Sequence, residues 1–212
     1  MLEVIVNHFN DLSSKVDAFS MHRKRPIFIR NMAKSSVCRQ RFDLAHECGH
    51  IIMHTGIMTG DETTEIQANR FASAFLLPRG AFLPDFGKAI INNRFSWTHI
   101  YNMKLRWKVS VAAIIRRAYD LKLIDAMKYR LANVYLRKSG QTKSEQFDSD
   151  IPEENPELIS EAIEYIKKNE PELQNTIISG MAVTPKLFDR LFPEGTPKLM
   201  WHETGNIISL IN

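Results

Sequence analysis

The sequence predicts an α+β fold in which helices dominate, with a small N-terminal β element and a small helical C-terminal appendage that ends in a β-hairpin. Three observations lead there. Apolar residues recur at the three- and four-residue spacing of amphipathic helices, and capping residues stand where those patterns begin. Two short runs rich in β-branched and aromatic residues precede the first helical pattern. A polar, acidic stretch then separates a longer body from a shorter tail.

The body opens with an apolar stretch around Leu2 to Val6. Strands are expected over Val16–Ser20 and Pro26–Arg30, joined by the polar His22-Arg23-Lys24-Arg25. A helix is expected from about Ser36 to His54, closed by Gly56 as a left-handed cap. A second spans about Thr63 to Leu77 and must stop at Pro78, which has no N–H to continue it. Ser96 then caps a helix to about Lys108, Ser110 caps VAAIIRRAYDLKL, and Asp125 caps a third that ends before Gly140.

Residues 1–140 are therefore read as one domain, 141–156 as an acidic linker and 157–212 as a small C-terminal domain. In the tail, Asn155-Pro156 supply the cap and first turn of a helix with apolar Leu158, Ile159, Ala162, Ile163 and Ile166. Two short helices are expected to flank Gly180, and KLMWHETGNIISLI reads as a hairpin around Thr204-Gly205-Asn206.

Hydrophobic residues at 44% and charged residues at 25% give the balance of a soluble globular protein. No apolar run is long enough for a signal peptide or a membrane span. Two cysteines, Cys38 and Cys48, offer no disulfide framework, so a reducing cytoplasm is the expected location. The net charge of +4 conceals an asymmetry: residues 1–140 hold 22 Lys+Arg against 11 Asp+Glu, and residues 141–172 hold 3 against 10. A basic body can attract nucleic acid or an acidic partner, but the simpler reading is that the acidic segment offsets it within the molecule.

Chemistry concentrates in His46-Glu47-Cys48-Gly49-His50. Residues four apart share a helical face, so His46 and His50 can aim two imidazole nitrogens at one point, as zinc requires. Glu47 then stands beside the position where a water would bind, as a catalytic base. Gly49 lets another backbone element come close. A catalytic zinc needs a third protein ligand and one vacant position. The following helix offers Glu62 and Glu65; Glu65 is preferred, because Glu65 and Asn69 share a face and Glu62 suits the helix dipole without any metal. Asn69 can then accept a hydrogen bond from a ligating histidine. Cys48 reads as a small buried hydrophobe, and His54 as a residue lining the cleft or bonding the last helix carbonyls. Tyr129 and His99 are candidate oxyanion donors by residue type alone.

These blocks resemble the ImmA/IrrE family of metallopeptidases. The matching text is RPIFIRN, RQRFDLAHECGHIIMH, EIQANRFASAFLLP and the later WKVSVAAIIRRAYDLKLI, over about residues 14–138. The resemblance implies a zincin-like metallopeptidase domain with His46, His50 and Glu65 as ligands of Zn2+ and Glu47 as general base. It also implies cleavage or inactivation of a helix-turn-helix repressor controlling mobile elements, stress responses or toxin–antitoxin-like operons. Many relatives carry an N-terminal helix-turn-helix domain where this chain begins almost directly in the peptidase body, so a separately encoded repressor is the expected partner. The rival reading is a non-catalytic, zinc-stabilised regulator or toxin component that binds a repressor, an antitoxin or DNA. Base reading by the helix pair at 171–192 is not expected, since its turn is long and its second helix carries only Lys186 and Arg190 as basic residues.

Overall fold

A computed structural model of the chain describes residues 5–9, 18–21, 27–31, 36–154, 157–170 and 173. Its contacts divide the chain into two compact units, Met1–Asn155 and Pro156–Asn212. The described residues are mainly helical, with one three-stranded and one two-stranded sheet.

The first unit begins with β1 (Ile5–Phe9), β2 (Ala18–Met21) and β3 (Ile27–Asn31). β3 is central: it pairs parallel with β1, Ile5 opposite Ile27, and antiparallel with β2, Met21 opposite Ile27. The sequence located β2 and β3 to within a residue or two, but the apolar start of the chain gave no sign that it pairs as a third strand. β2 and β3 lie against α1 (Val37–Met53). That helix ends at His54, so Gly56, at φ +78°, turns the chain two residues beyond the cap rather than closing the helix itself.

The second helix, α2 (Glu62–Leu76), is started by Asp61, whose carboxylate accepts from the N–H groups of Thr63 (2.8 Å) and Thr64 (3.0 Å). Those bonds, Thr64's first, hold the Asp61 carboxyl below its usual range. Capping there places Glu65 at the end of the first turn, its N–H bonded to the Asp61 carbonyl at 3.1 Å.

Pro78 ends α2 as expected, yet it also serves as N-cap of a helix the sequence reading passed over, α3 (Arg79–Gly87). With Gly80, Pro84 and Gly87 inside it, propensity argues against that helix. Tertiary burial overrides: Phe82 and Phe86, one turn apart, are completely buried and stack at 5.4 Å. A hairpin also missed from sequence follows, β4 (Ile90–Ile91) and β5 (Arg94–Phe95). Its two turn residues, Asn92 and Asn93, both have positive φ, which asparagine tolerates. Three helices come next, α4 (Trp97–Trp107), α5 (Val111–Asp120) and α6 (Ala126–Lys138), capped by the side chains of Ser96, Ser110 and Asp125 as the sequence predicts. Ile100, Met103, Ile114 and Ile115 join Phe82 and Phe86 in the main core.

The acidic segment read as a linker behaves otherwise through residue 154. Lys104 on α4 is completely buried, and its Nζ donates to Glu145 (3.0 Å) and Asp148 (2.6 Å). Glu145 also accepts from the N–H groups of Val111 (2.7 Å) and Ala112 (3.1 Å), capping α5 from outside. Ile151 packs with Val37 and Cys38, and Glu154 pairs with Arg41 and Lys108. Residues 141–154 are thus a strap on the body. Composition marks them as polar, but cannot show that their carboxylates meet buried or basic partners 40 residues away. These pairs support the reading that the acidic segment offsets the basic body internally.

The second unit contributes α7 (Leu158–Asn169), capped at Glu157. Asn155-Pro156, the helices around Gly180 and the C-terminal hairpin lie outside the described residues. Among the described residues, no helix is long and apolar enough to cross a membrane.

Candidate metal centre

α1 and α2 pack closely at Gly49, where a Cβ would stand 3.2 Å from Ala68 Cα and 3.1 Å from a Phe71 ring carbon. Only hydrogen fits at position 49 without displacement, as the sequence suggested. That approach brings the second half of α1 beside the first half of α2, and three side chains converge. Nε2 of His46 lies 2.9 Å from Nε2 of His50. The two Glu65 oxygens lie 3.2 Å from His46 Nε2 and 3.3 Å from His50 Nε2. These form a group whose ligand atoms could hold a metal ion. Glu65 rather than Glu62 meets the histidines, and the His46 and His50 rings are mostly covered while Glu65 is about half exposed.

The outer hydrogen bonds fix the tautomers. Asn69 Oδ1 lies 3.0 Å from His46 Nδ1. An amide oxygen only accepts, so His46 carries its proton on Nδ1 and leaves Nε2 bare. On the other side, His54 Nε2 lies 2.8 Å from Gln67 Oε1, so His54 is protonated at Nε2 and accepts at Nδ1. His50 Nδ1, 3.0 Å from His54 Nδ1, is then the donor, and His50 Nε2 is bare as well. Two lone pairs and a carboxylate consequently face one point, a mutually repulsive set unless a cation lies among them. Tetrahedral zinc with bonds of about 2.05 Å holds its ligand atoms about 3.3 Å apart, close to the observed spacings. The residues fit a zinc ion.

Burial holds the His50 imidazole below its ordinary pKa, and His46 adds to the lowering against the pull of the Glu65 and Glu47 carboxylates. A neutral imidazole is the form that ligates. Glu47, half-buried, is close enough to act electrostatically on His50 and makes no hydrogen bond or ion pair among the described residues. Cys48 lies within the same turn; burial, then the Glu47 carboxylate, raises its thiol pKa, so it stays a thiol.

His54 and Gln67 are the site residues that sequence reasoning missed in role. His54 is 3% exposed, and its ring serves His50 rather than the last carbonyls. The repeat 46, 50, 54 was the available signal; the position of Gln67 was not legible. Of the oxyanion candidates, His99 is bound to Asp85, at 3.1 Å from its carbonyl and 3.4 Å from its carboxylate, in the α3–α4 packing. Tyr129 shares a cavity of about 500 Å³ with Asn69.

Residues 3–119 match the model of a peptidase family described as the IrrE N-terminal-like domain, from the start of the chain to the end of α5. No curated protein matches the chain. With more than half its length covered and a His/His/Glu metal-type group in that span, the chain belongs to the IrrE N-terminal-like family of metallopeptidases.

Proposed function

We propose that the protein is a cytoplasmic zinc-dependent endopeptidase that cleaves, and so inactivates, a helix-turn-helix transcriptional repressor supplied as a separate chain. The observation that carries the catalytic part is the convergence of three acceptors, His46 Nε2, His50 Nε2 and the Glu65 carboxylate, near a Glu47 carboxylate that makes no hydrogen bond or ion pair among the described residues. Family membership supports peptide hydrolysis, and the likeness of the sequence blocks to the ImmA/IrrE group supports a repressor as substrate.

A bound zinc ion would supply Lewis acidity and water activation at the point where these groups meet. His46 and His50 would hold it through Nε2, and Glu65 would complete the set. Asn69 and His54 keep the two rings in the ligating tautomer. Glu47 accepts the proton of the attacking water on a carboxylate oxygen and returns it to the leaving amine nitrogen.

The test is incubation of the purified full chain with the repressor encoded beside it, with and without chelator, alongside Glu47→Gln. The expected result is repressor cleavage that chelator stops and that Glu47→Gln lowers by about 10²–10⁴-fold with zinc retained. Undiminished cleavage by Glu47→Gln sinks the mechanism. Loss of repressor–DNA binding that is insensitive to chelator and leaves the repressor intact favours the non-catalytic regulator instead.

A further inference from the structure

We propose that the peptidase body carries a cationic groove, in line with the candidate metal centre, that seats an acidic segment of a peptide; this rests on the peptidase reading above and names the chemistry of its substrate. Two cavities of about 500 and 570 Å³ share Arg39, Ser110, Ala112, Tyr129 and Asn133, and so form one groove. One end lies at Asn69, the residue bonded to His46. The other end lies at Arg137 and Lys143, between α6 and the strap.

Helical geometry aligns this groove with the centre. On α1, positions 39, 43, 46 and 50 follow at steps of four, three and four, so Arg39 and Asp43 continue the histidine stripe toward the N-terminus of the helix. On α2, positions 65, 69 and 73 step by four, so Ser73 continues the Glu65–Asn69 stripe. A chain lying across His46 and Glu65 and extending along the two stripes runs into the groove.

The charges in the groove are unevenly matched. Its carboxylates are engaged: Asp120 with Arg116, Glu145 and Asp148 with Lys104, and Asp43 with a partner of its own. Five exposed cations, Arg39, Arg70, Arg130, Arg137 and Lys143, have no carboxylate partner among the described residues. Among the described residues, Arg39 and Arg137 donate only to the carbonyls of Thr142 and Asn133. Unneutralised cations in a concave surface attract an anion more strongly than the same charges on a flat one. The remaining lining favours a peptide over a nucleic acid. Phe42, Ile66 and Leu136 offer apolar contact, and the amides of Asn69 and Asn133 can bond a backbone.

The experiment measures binding by fluorescence anisotropy on the full, zinc-loaded chain carrying Glu47→Gln, so that no cleavage is needed for the readout. The probes are a labelled peptide of alternating Glu and Ala, its Gln and Lys counterparts, and single-stranded DNA of similar length. The expected result is that the Glu peptide binds at least about tenfold tighter than the Gln peptide at low salt, with the preference falling as salt rises. Arg130→Glu with Arg137→Glu should abolish the preference without changing zinc content. Should that pair unfold, Arg130→Gln with Arg137→Gln decides, and is expected to lower the preference severalfold. Equal binding of the Glu and Gln peptides, tighter binding of DNA than of the Glu peptide, or a preference untouched in a folded variant overturns the inference. Acidic preference without repressor cleavage leaves the groove standing and removes the peptidase reading; cleavage without preference does the reverse.

Discussion

Gly49 of α1 and Ala68 of α2 touch backbone to backbone, so closely that a methyl group at position 49 would lie 3.2 Å from the Ala68 Cα. This contact sets the helix separation at the point where His46 and His50 on one helix meet Glu65 on the other.

Gly49→Ala is expected to force the two helices apart. Overpacking at such a contact costs about 1–3 kcal/mol, and the higher helix propensity of alanine returns about 1. Because the crowded atoms include the Ala68 Cα and the Phe71 Cβ, which cannot swing aside as the end of a side chain can, the balance falls on the side of destabilisation. Urea unfolding of the chelator-treated protein should show lower stability, and zinc affinity should fall in parallel because the ligands sit on both helices. Unchanged stability and affinity would show that α2 yields without consequence.

His54 orients His50, so His54→Ala should weaken zinc binding by about 10–100-fold, as loss of an outer hydrogen-bond partner commonly does. Gln67→Leu removes the acceptor that holds the His54 tautomer and should have a smaller effect in the same direction. Competition with a fluorescent chelator measures both. An affinity equal to that of the unmodified chain in both variants would assign the pair to packing alone.

Lys104 has no exposed surface and holds two nearly buried carboxylates. Lys104→Met leaves Glu145 and Asp148 facing each other without a cation, which is expected to cost about 3–5 kcal/mol. Adding Glu145→Gln and Asp148→Asn should recover part of that loss. Denaturant titration of the single and triple variants is the check, and a single-variant loss under about 1 kcal/mol would mean that water enters freely beneath the strap.

Glu154 supplies a pH dependence of defined sign. Burial alone would raise its carboxyl, but the hydrogen bonds from Lys108 and Arg41 outweigh it and hold the group below its usual range. A carboxyl depressed in the folded state contributes stability that is present above its unfolded value and lost as pH falls through the folded one. The stability difference between the unmodified chain and Glu154→Gln should therefore be present near neutrality and vanish in acid. A difference that grows as pH falls would contradict the pairing.

The helices of the candidate site were legible because their signals are local. Apolar spacing and the caps at Ser96, Ser110 and Asp125 mark where helices begin, and the four-residue interval of His46 and His50 fixes their common face. By the same logic Glu65 and Asn69 could be paired, and Gly49 could be read as a place of close approach. α3 was hidden because Pro84 and two glycines oppose a helix that two buried phenylalanines secure. The strap was hidden because acidity of a segment carries no information about a buried lysine on another helix.

By itself, then, the sequence determined α1, α2 and α4 to α6, the caps of the last three and the residue types that can ligate zinc, since each depends on neighbours within about one turn. Tertiary structure alone decided that His54 and Gln67 set the His50 tautomer, and that the acidic segment is bound to the body. Those outcomes depend on which side chains meet across helix interfaces, and on the cost of leaving a buried charge or polar group without a partner.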